Sequence, residues 1–213
     1  VLSPEAFALD AATVTLIRNL GPALRAFQRA CTQLYFDEAY PWVAKLMDQG
    51  KPQRVIELGQ NPRWHEDLPR VLRPDLVLTE TGVAISELDS LPGGIGLTAW
   101  LNETYAALDQ DVIGGDAGMI EAFAAAFPSE DILISRESGD YLPEMSWLAE
   151  RLGRRVLRPW EVQPYELNGA AIYRFFELFD LANVEKADVM LRMAERGELS
   201  FTPPIKAFLE EKL

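Results

Sequence analysis

The chain has 213 residues, 48% of them hydrophobic and 25% charged, and a formal net charge of −13. That is ample chain for a core in one large domain or two small ones, and the acidic balance argues against non-specific binding to nucleic acid or an anionic membrane. A single cysteine excludes an internal disulfide, a single histidine leaves a zinc site short of ligands, and with neither a membrane-length apolar run nor a secretory signal a cytoplasmic compartment fits.

Asp10 is placed to cap a first helix with Val14, Ile17 and Leu20 on one side. Gly21-Pro22 should interrupt it, because proline suits the first turn of a helix and not its interior. A second helix then carries Leu24, Phe27, Cys31 and Leu34 as an amphipathic stripe. Cys31 has nothing basic beside it in sequence, so it reads as a packed structural thiol rather than a nucleophile. A short helix is expected over Ala39 to Met47. His65, between Trp64 and Glu66, reads as a surface or packing residue more readily than as a proton shuttle, since no catalytic Ser or Cys motif accompanies it. The composition shifts near Pro69 to Pro74, which predicts a helical subdomain over residues 1–68 and an α/β domain over residues 69–213.

The stretch from Asp75 to Leu108 organises that second part. An apolar run at Leu76-Val77-Leu78 leads to a tight turn at Glu80-Thr81-Gly82, and Val83 to Leu88 alternates. Val83, Ile85, Glu87 and Asp89 should share one side of a strand, so two carboxylates continue a face that began apolar. Pro92-Gly93-Gly94-Ile95-Gly96 follows and a helical pattern starts at once. A glycine loop at a helix start leaves backbone N–H groups for an anionic ligand. It lacks the Gly-Lys-Ser/Thr ending of a P-loop and the spacing of the dinucleotide fingerprint, and a tight turn is its plainer reading. Glu87 and Asp89 could hold an ammonium or a cation; Asp89 or Ser90 merely capping the turn is the alternative.

Asp116 should cap a helix with Ile120, Phe123 and Phe127 inward. Ile132-Leu133-Ile134, a helix from Pro143 to Gly153, and Val156-Leu157 read as a βαβ unit in a parallel sheet. Ser135-Arg136-Glu137-Ser138 would leave the carboxyl end of a strand, where open α/β sheets bind ligands. Arg136 is a candidate clamp for a carboxylate or phosphate, with a surface ion pair as an equal alternative. Asn168-Gly169 between Val162–Leu167 and Ala170–Phe176 predicts a second hairpin through a type I′ turn. Arg174, on a face with Ile172 and Phe176, needs a partner, structural or within a site. A helix over Glu185 to Arg196 and a strand at Leu199-Ser200-Phe201 follow, and Pro203-Pro204 should open a last helix running to Leu213. A helix stopped without a cap suggests a piece of a longer protein, with a ragged terminus as the alternative.

Glu87-Leu88-Asp89-Ser90-Leu91-Pro92-Gly93-Gly94-Ile95-Gly96-Leu97-Thr98 resembles the acidic strand and glycine loop of the domain that precedes the ATP-grasp fold in carboxylate–amine ligases of the glutathionylspermidine-synthase type. Ile132 to Arg136, Ala171 to Glu177 and Thr202 to Lys212 are consistent with it, so the resemblance covers roughly Pro69 to Leu213. It implies a Rossmann-like, mostly parallel sheet with hairpins. It also implies a ligase that makes an acyl phosphate from ATP and a carboxylate and transfers the acyl group to an amine. The phosphate-cradling lysine and the acidic magnesium set are not evident in this chain. The expectation is therefore a substrate-binding domain that works with a C-terminal ATP-grasp region of the same protein, has no cofactor of its own, and leaves ATP and magnesium to the full-length family member. The expected substrate contacts are Glu87, Asp89 and Ser90, the loop amides of Gly93, Gly94 and Gly96, Arg136 and Arg174. A non-catalytic α/β small-molecule binding or interaction module is the competing reading, and a nucleotide-binding domain using Pro92–Gly96 the third.

Overall fold

The computed structural model describes residues 3–80 and 82–210. Their contacts fall into two compact units. The helical unit holds Leu9–Leu91, Glu177–Phe179 and residues 203–210; the sheet unit holds Pro92–Phe176, Asp180–Thr202 and residues 3–8. By contacts the hairpin after residue 68 groups with the N-terminal helices.

In the helical unit, α1 (Ala11–Phe36) is 26 residues long and capped by Asp10, whose carboxylate accepts from the Thr13 amide at 2.7 Å. The break expected at Gly21-Pro22 does not occur. Proline costs a helix interior about 3 kcal/mol, but a stop there would forfeit the bonded turns on both sides. α2 (Pro41–Met47) matches expectation, whereas α3 (Gln53–Gly59), which buries Val55 and Leu58, has too short a pattern to be read from sequence. Tyr35 stacks on Phe208 with ring centroids 3.8 Å apart and planes at 10°, and Cys31, Phe36, Met47 and Leu68 surround this pair and Leu209. Burial pushes the Cys31 thiol up, as suits a packed side chain. The expected final helix is only a 3-10 turn at Ala207–Leu209, and residues 211–213 lie outside the described residues. Every residue from Pro203 to Leu209 is buried, so tertiary contact rather than a one-sided stripe sets this segment.

β1 (Arg73–Thr79) and β2 (Gly82–Asp89) form the expected antiparallel hairpin. Thr81 of its turn lies outside the described residues, and Gly82 has φ +136°. Pairing steps from Leu76↔Ile85 to Asp75↔Glu87, so Ser86 is the extra residue of a bulge, its hydroxyl donating to the Asp75 carbonyl at 3.2 Å. The alternation expected from Val83 to Asp89 is interrupted there: Val83 and Ile85 precede the bulge, Glu87 and Asp89 follow it.

The sheet unit is built on four parallel strands in the order β4-β3-β5-β6. These are β3 (Asp131–Ile134), β4 (Val156–Leu157), β5 (Ala170–Phe175) and β6 (Leu199–Thr202). α4 (Ile95–Ala106) and α5 (Gly118–Ala126) precede them, α6 (Leu142–Leu152) joins β3 to β4, and α7 (Ala187–Arg196) precedes β6. The βαβ unit is as expected, with Gly153 at φ +63° closing α6. Asp116 sits one residue ahead of the α5 cap position and accepts from the Ala117 amide. Leu133, Ile172 and Leu199 pack with Met190 and Met193 of α7, while Phe123 and Phe127 close on Tyr173.

The second hairpin is not formed. Pro164–Leu167 is a 3-10 turn, and Asn168 (φ −64°, ψ 123°) with Gly169 (φ +78°) makes the backbone of a type II turn, which needs positive φ only at its second central residue. β5 therefore enters the sheet parallel to β3 and β6. The architecture is α/β: a parallel four-stranded sheet, an antiparallel pair and helices. Among the described residues no helix is long and apolar enough to cross a membrane.

Candidate functional site

The residues expected to form one site belong to both units. Glu87, Asp89 and Ser90 lie in the helical unit, and Gly93, Gly94, Gly96, Arg136 and Arg174 in the sheet unit.

The acidic strand end is already matched by a cation. Arg73, opposite Asp89 in the hairpin, places its guanidinium 3.0 Å from Asp75, 3.4 Å from Asp89 and 4.0 Å from Glu87. Burial alone would lower the Arg73 pKa, but the Asp75 hydrogen bond and the charges of Asp89, Asp75 and Glu87 outweigh it and raise it. Asp89 is only 6% exposed and also accepts from the Leu91 amide at 2.8 Å, which is the turn-capping alternative. Ser90 is buried and donates to the Leu209 carbonyl at 2.8 Å. Arg73 was missed by sequence reasoning; its position opposite Asp89 becomes visible only once the hairpin register is known.

The glycine loop is filled from within the chain. Gly94 caps α4 with φ +85°, and its amide donates to Glu144 Oε1 at 2.7 Å; the Leu97 amide donates to Oε2 at 2.9 Å. A carboxylate thus sits where a ligand anion was expected, favoured by the same unpaired amides and helix dipole. The glycines are demanded by packing. A Cβ on Gly93 would come within 2.2 Å of the Tyr141 ring, and one on Gly96 within 2.3 Å of the Glu144 carbonyl oxygen. The expectation of free loop amides is corrected accordingly for Gly94. Glu144 is fifty residues away in sequence, and no local signal could have found it.

The carboxyl edge of the parallel sheet offers more. β3 leads to β4 on one side and β5 leads to β6 on the other, so the order reverses between β3 and β5. A crevice outside the carboxyl ends of such a pair is the physically favoured ligand position in open α/β sheets, since the two connections diverge there. Ser135, buried immediately after β3, accepts from the Ser138 amide at 3.3 Å, and the Gly139 amide closes a turn onto the Arg136 carbonyl at 3.0 Å. This turn presents Arg136, whose side chain is 57% exposed. Its guanidinium lies 4.1 Å from the ring centroid of Trp160, beyond β4, and its Nε donates to Glu185 at 2.6 Å. That hydrogen bond holds the Glu185 carboxyl below the usual carboxylate range. On the same edge burial, and then the charge of Glu137, push Asp180 up. Trp160 follows β4 while Asp180 and Glu185 lie between β5 and α7, so nothing local in sequence joined them to Arg136.

Arg174 is fully buried in β5, donates to the Phe176 carbonyl and lies over the Phe176 ring at 5.3 Å. It supports the backbone at the end of β5 and presents no surface to a ligand. Chemically the edge combines an exposed, stacked guanidinium, able to grip a carboxylate or phosphate, with the acidic groups Glu137 and Asp180, able to attract an ammonium. Compared with family models and with curated proteins, the chain finds no match.

Proposed function

We propose that this chain is the substrate-binding domain of a cytoplasmic, ATP-dependent carboxylate–amine ligase, with a Rossmann-like pre-ATP-grasp sheet. The ATP-grasp region of the same protein would lie outside these residues. What supports the reading most is Arg136 at the point between β3 and β5 where the strand order reverses. A substrate carboxylate would replace Glu185 on the guanidinium while Trp160 holds the plane, and the amine partner would be drawn to Glu137 and Asp180. The resemblance implies ATP and magnesium, but the residues here do not fit them: the glycine loop carries Glu144 and Tyr141 against it. No step of phosphoryl transfer is assigned to this chain.

Calorimetric titration of the chain with succinate and putrescine, as probes of the two chemical classes, tests this. Succinate should bind, and Arg136→Ala should weaken it at least about tenfold, the value of one lost charge-assisted contact. Equal succinate affinity in the variant sinks the assignment, and micromolar affinity for ATP contradicts the division of labour. The second reading, a non-catalytic binding module, draws on Glu144: a loop plugged by the chain's own carboxylate suits a domain that keeps the fold without the reaction.

A further inference from the structure

The helical unit holds a separate cavity of about 180 Å³ that shares no residue with the Arg136 edge. One wall is a stripe of α1, formed by Arg29, Thr32, Gln33 and Phe36, which helical spacing puts on one face. The other is the loop bearing His65 and Glu66. That loop is held at three points. The Trp64 indole donates to the Leu58 carbonyl at 2.6 Å, and the His65 imidazole rests on Phe36 with centroids 3.6 Å apart. Lys206, fully buried, donates from Nζ to the His65 and Asp67 carbonyls, each at 2.7 Å. A buried lysine spent on two loop carbonyls costs desolvation, which lowers its pKa to about 8 against the opposing charges of Asp67 and Glu66. The wall is thus pre-formed.

The side chains facing the cavity are unspent. Arg29, Gln33, His65 and Glu66 make no side-chain hydrogen bond or salt bridge among the described residues. Thr32 donates its hydroxyl to the Gln28 carbonyl at 3.0 Å, which leaves its lone pairs to accept. We propose that this cavity binds a zwitterion of α-amino-acid size, its carboxylate on Arg29 and His65 and its ammonium on Glu66 and the Thr32 oxygen. A simple anion would meet Glu66 and a simple cation Arg29, whereas a molecule carrying both charges satisfies each. The volume lies below the roughly 300 Å³ at which pockets for drug-sized ligands begin, which sets the ligand at the scale of a single amino acid.

His65 is the sole histidine, so its imidazole Cε1–H gives an unambiguous carbon–proton signal in NMR. Titration of the whole chain with glycine, L-alanine, L-serine and L-glutamine should move that signal saturably for at least one of them, with Kd in the range of about 0.1–10 mM. Arg29→Ala and Glu66→Gln should each weaken binding by about tenfold or more, and so should N-acetylation or amidation of the amino acid. Arg136→Ala should leave it unchanged, so failure here is separate from failure at the sheet edge. No saturable shift with any of the four, or an N-acetyl derivative binding as tightly as its parent, overturns the proposal.

Discussion

The start of α4 and the turn after β3 are two places where the fold brings polar groups to the beginning of a helical segment, and they end differently. At α4 the Gly94 and Leu97 amides are spent on Glu144, and Gly93 and Gly96 are pressed against Tyr141 and the Glu144 backbone. After β3 the turn closes on itself through Ser135 and Ser138, and Arg136 is left exposed, held by one carboxylate and one indole. The same helix-start electrostatics that would hold a ligand anion can hold a side chain of the chain itself, and a glycine loop tells which only when its neighbours are known. An internal carboxylate is always present at high effective concentration, so it wins unless a ligand brings further contacts.

The largest expected effect is at Gly96. Gly96→Ala drives a methyl group into the Glu144 carbonyl and should cost about 3 kcal/mol, with Tm lower by roughly 6 °C or more in thermal unfolding. A Tm within a degree of wild type would show that the loop and α6 are not in contact as described. Glu144→Ala leaves two helix-start amides without their acceptor and should cost about 2 kcal/mol. Glu144→Gln keeps a side-chain acceptor and should cost less. Equal stability of all three proteins breaks the contrast with the β3 turn.

Arg136→Ala sharpens the contrast from the other side. An exposed ion pair contributes little, so Tm should stay within about 2 °C of wild type while succinate binding is lost. The smallest effect concerns Glu185. Its folded pKa lies below the ordinary value because Arg136 donates to it, so the pairing is present above that ordinary value and lost as pH falls through the lowered one. In Arg136→Ala the Glu185 carboxyl, followed by carbon-detected NMR, should return to the ordinary range; an unchanged titration would assign the shift to another cause.

Much of the sheet unit was legible in sequence. Ile132 to Ile134 and Val156-Leu157 each carry a short apolar run, and the helices closed by Gly153 and Gly197 each carry an apolar stripe and a glycine stop, signals that act within a few residues. Asn168-Gly169 misled because the dipeptide serves a type II turn as well as a type I′ turn, and the choice is made by the partners of β5. Pro22 misled because a long helix absorbs a local cost that a short one would not. The candidate site was legible only in the stretch holding Arg136 and Glu137. Trp160, Glu185, Asp180 and Glu144 reach their places through strand order and helix packing, between 24 and 50 residues from the groups they meet in the contacts described.

Residue spacing alone determined that this chain alternates strands and helices, where a glycine ends a helix, and that Arg136 leaves a strand. These are short-range matters of backbone freedom and period. The tertiary structure alone decided which charges meet which partners: Arg73 on Asp75 and Asp89, Glu144 on the α4 amides, Lys206 on two carbonyls, and Arg136 on Glu185 with its side chain still more than half exposed. Electrostatic and hydrogen-bond partners are set by proximity in space, and proximity between distant residues follows from register and packing rather than from their spacing along the chain.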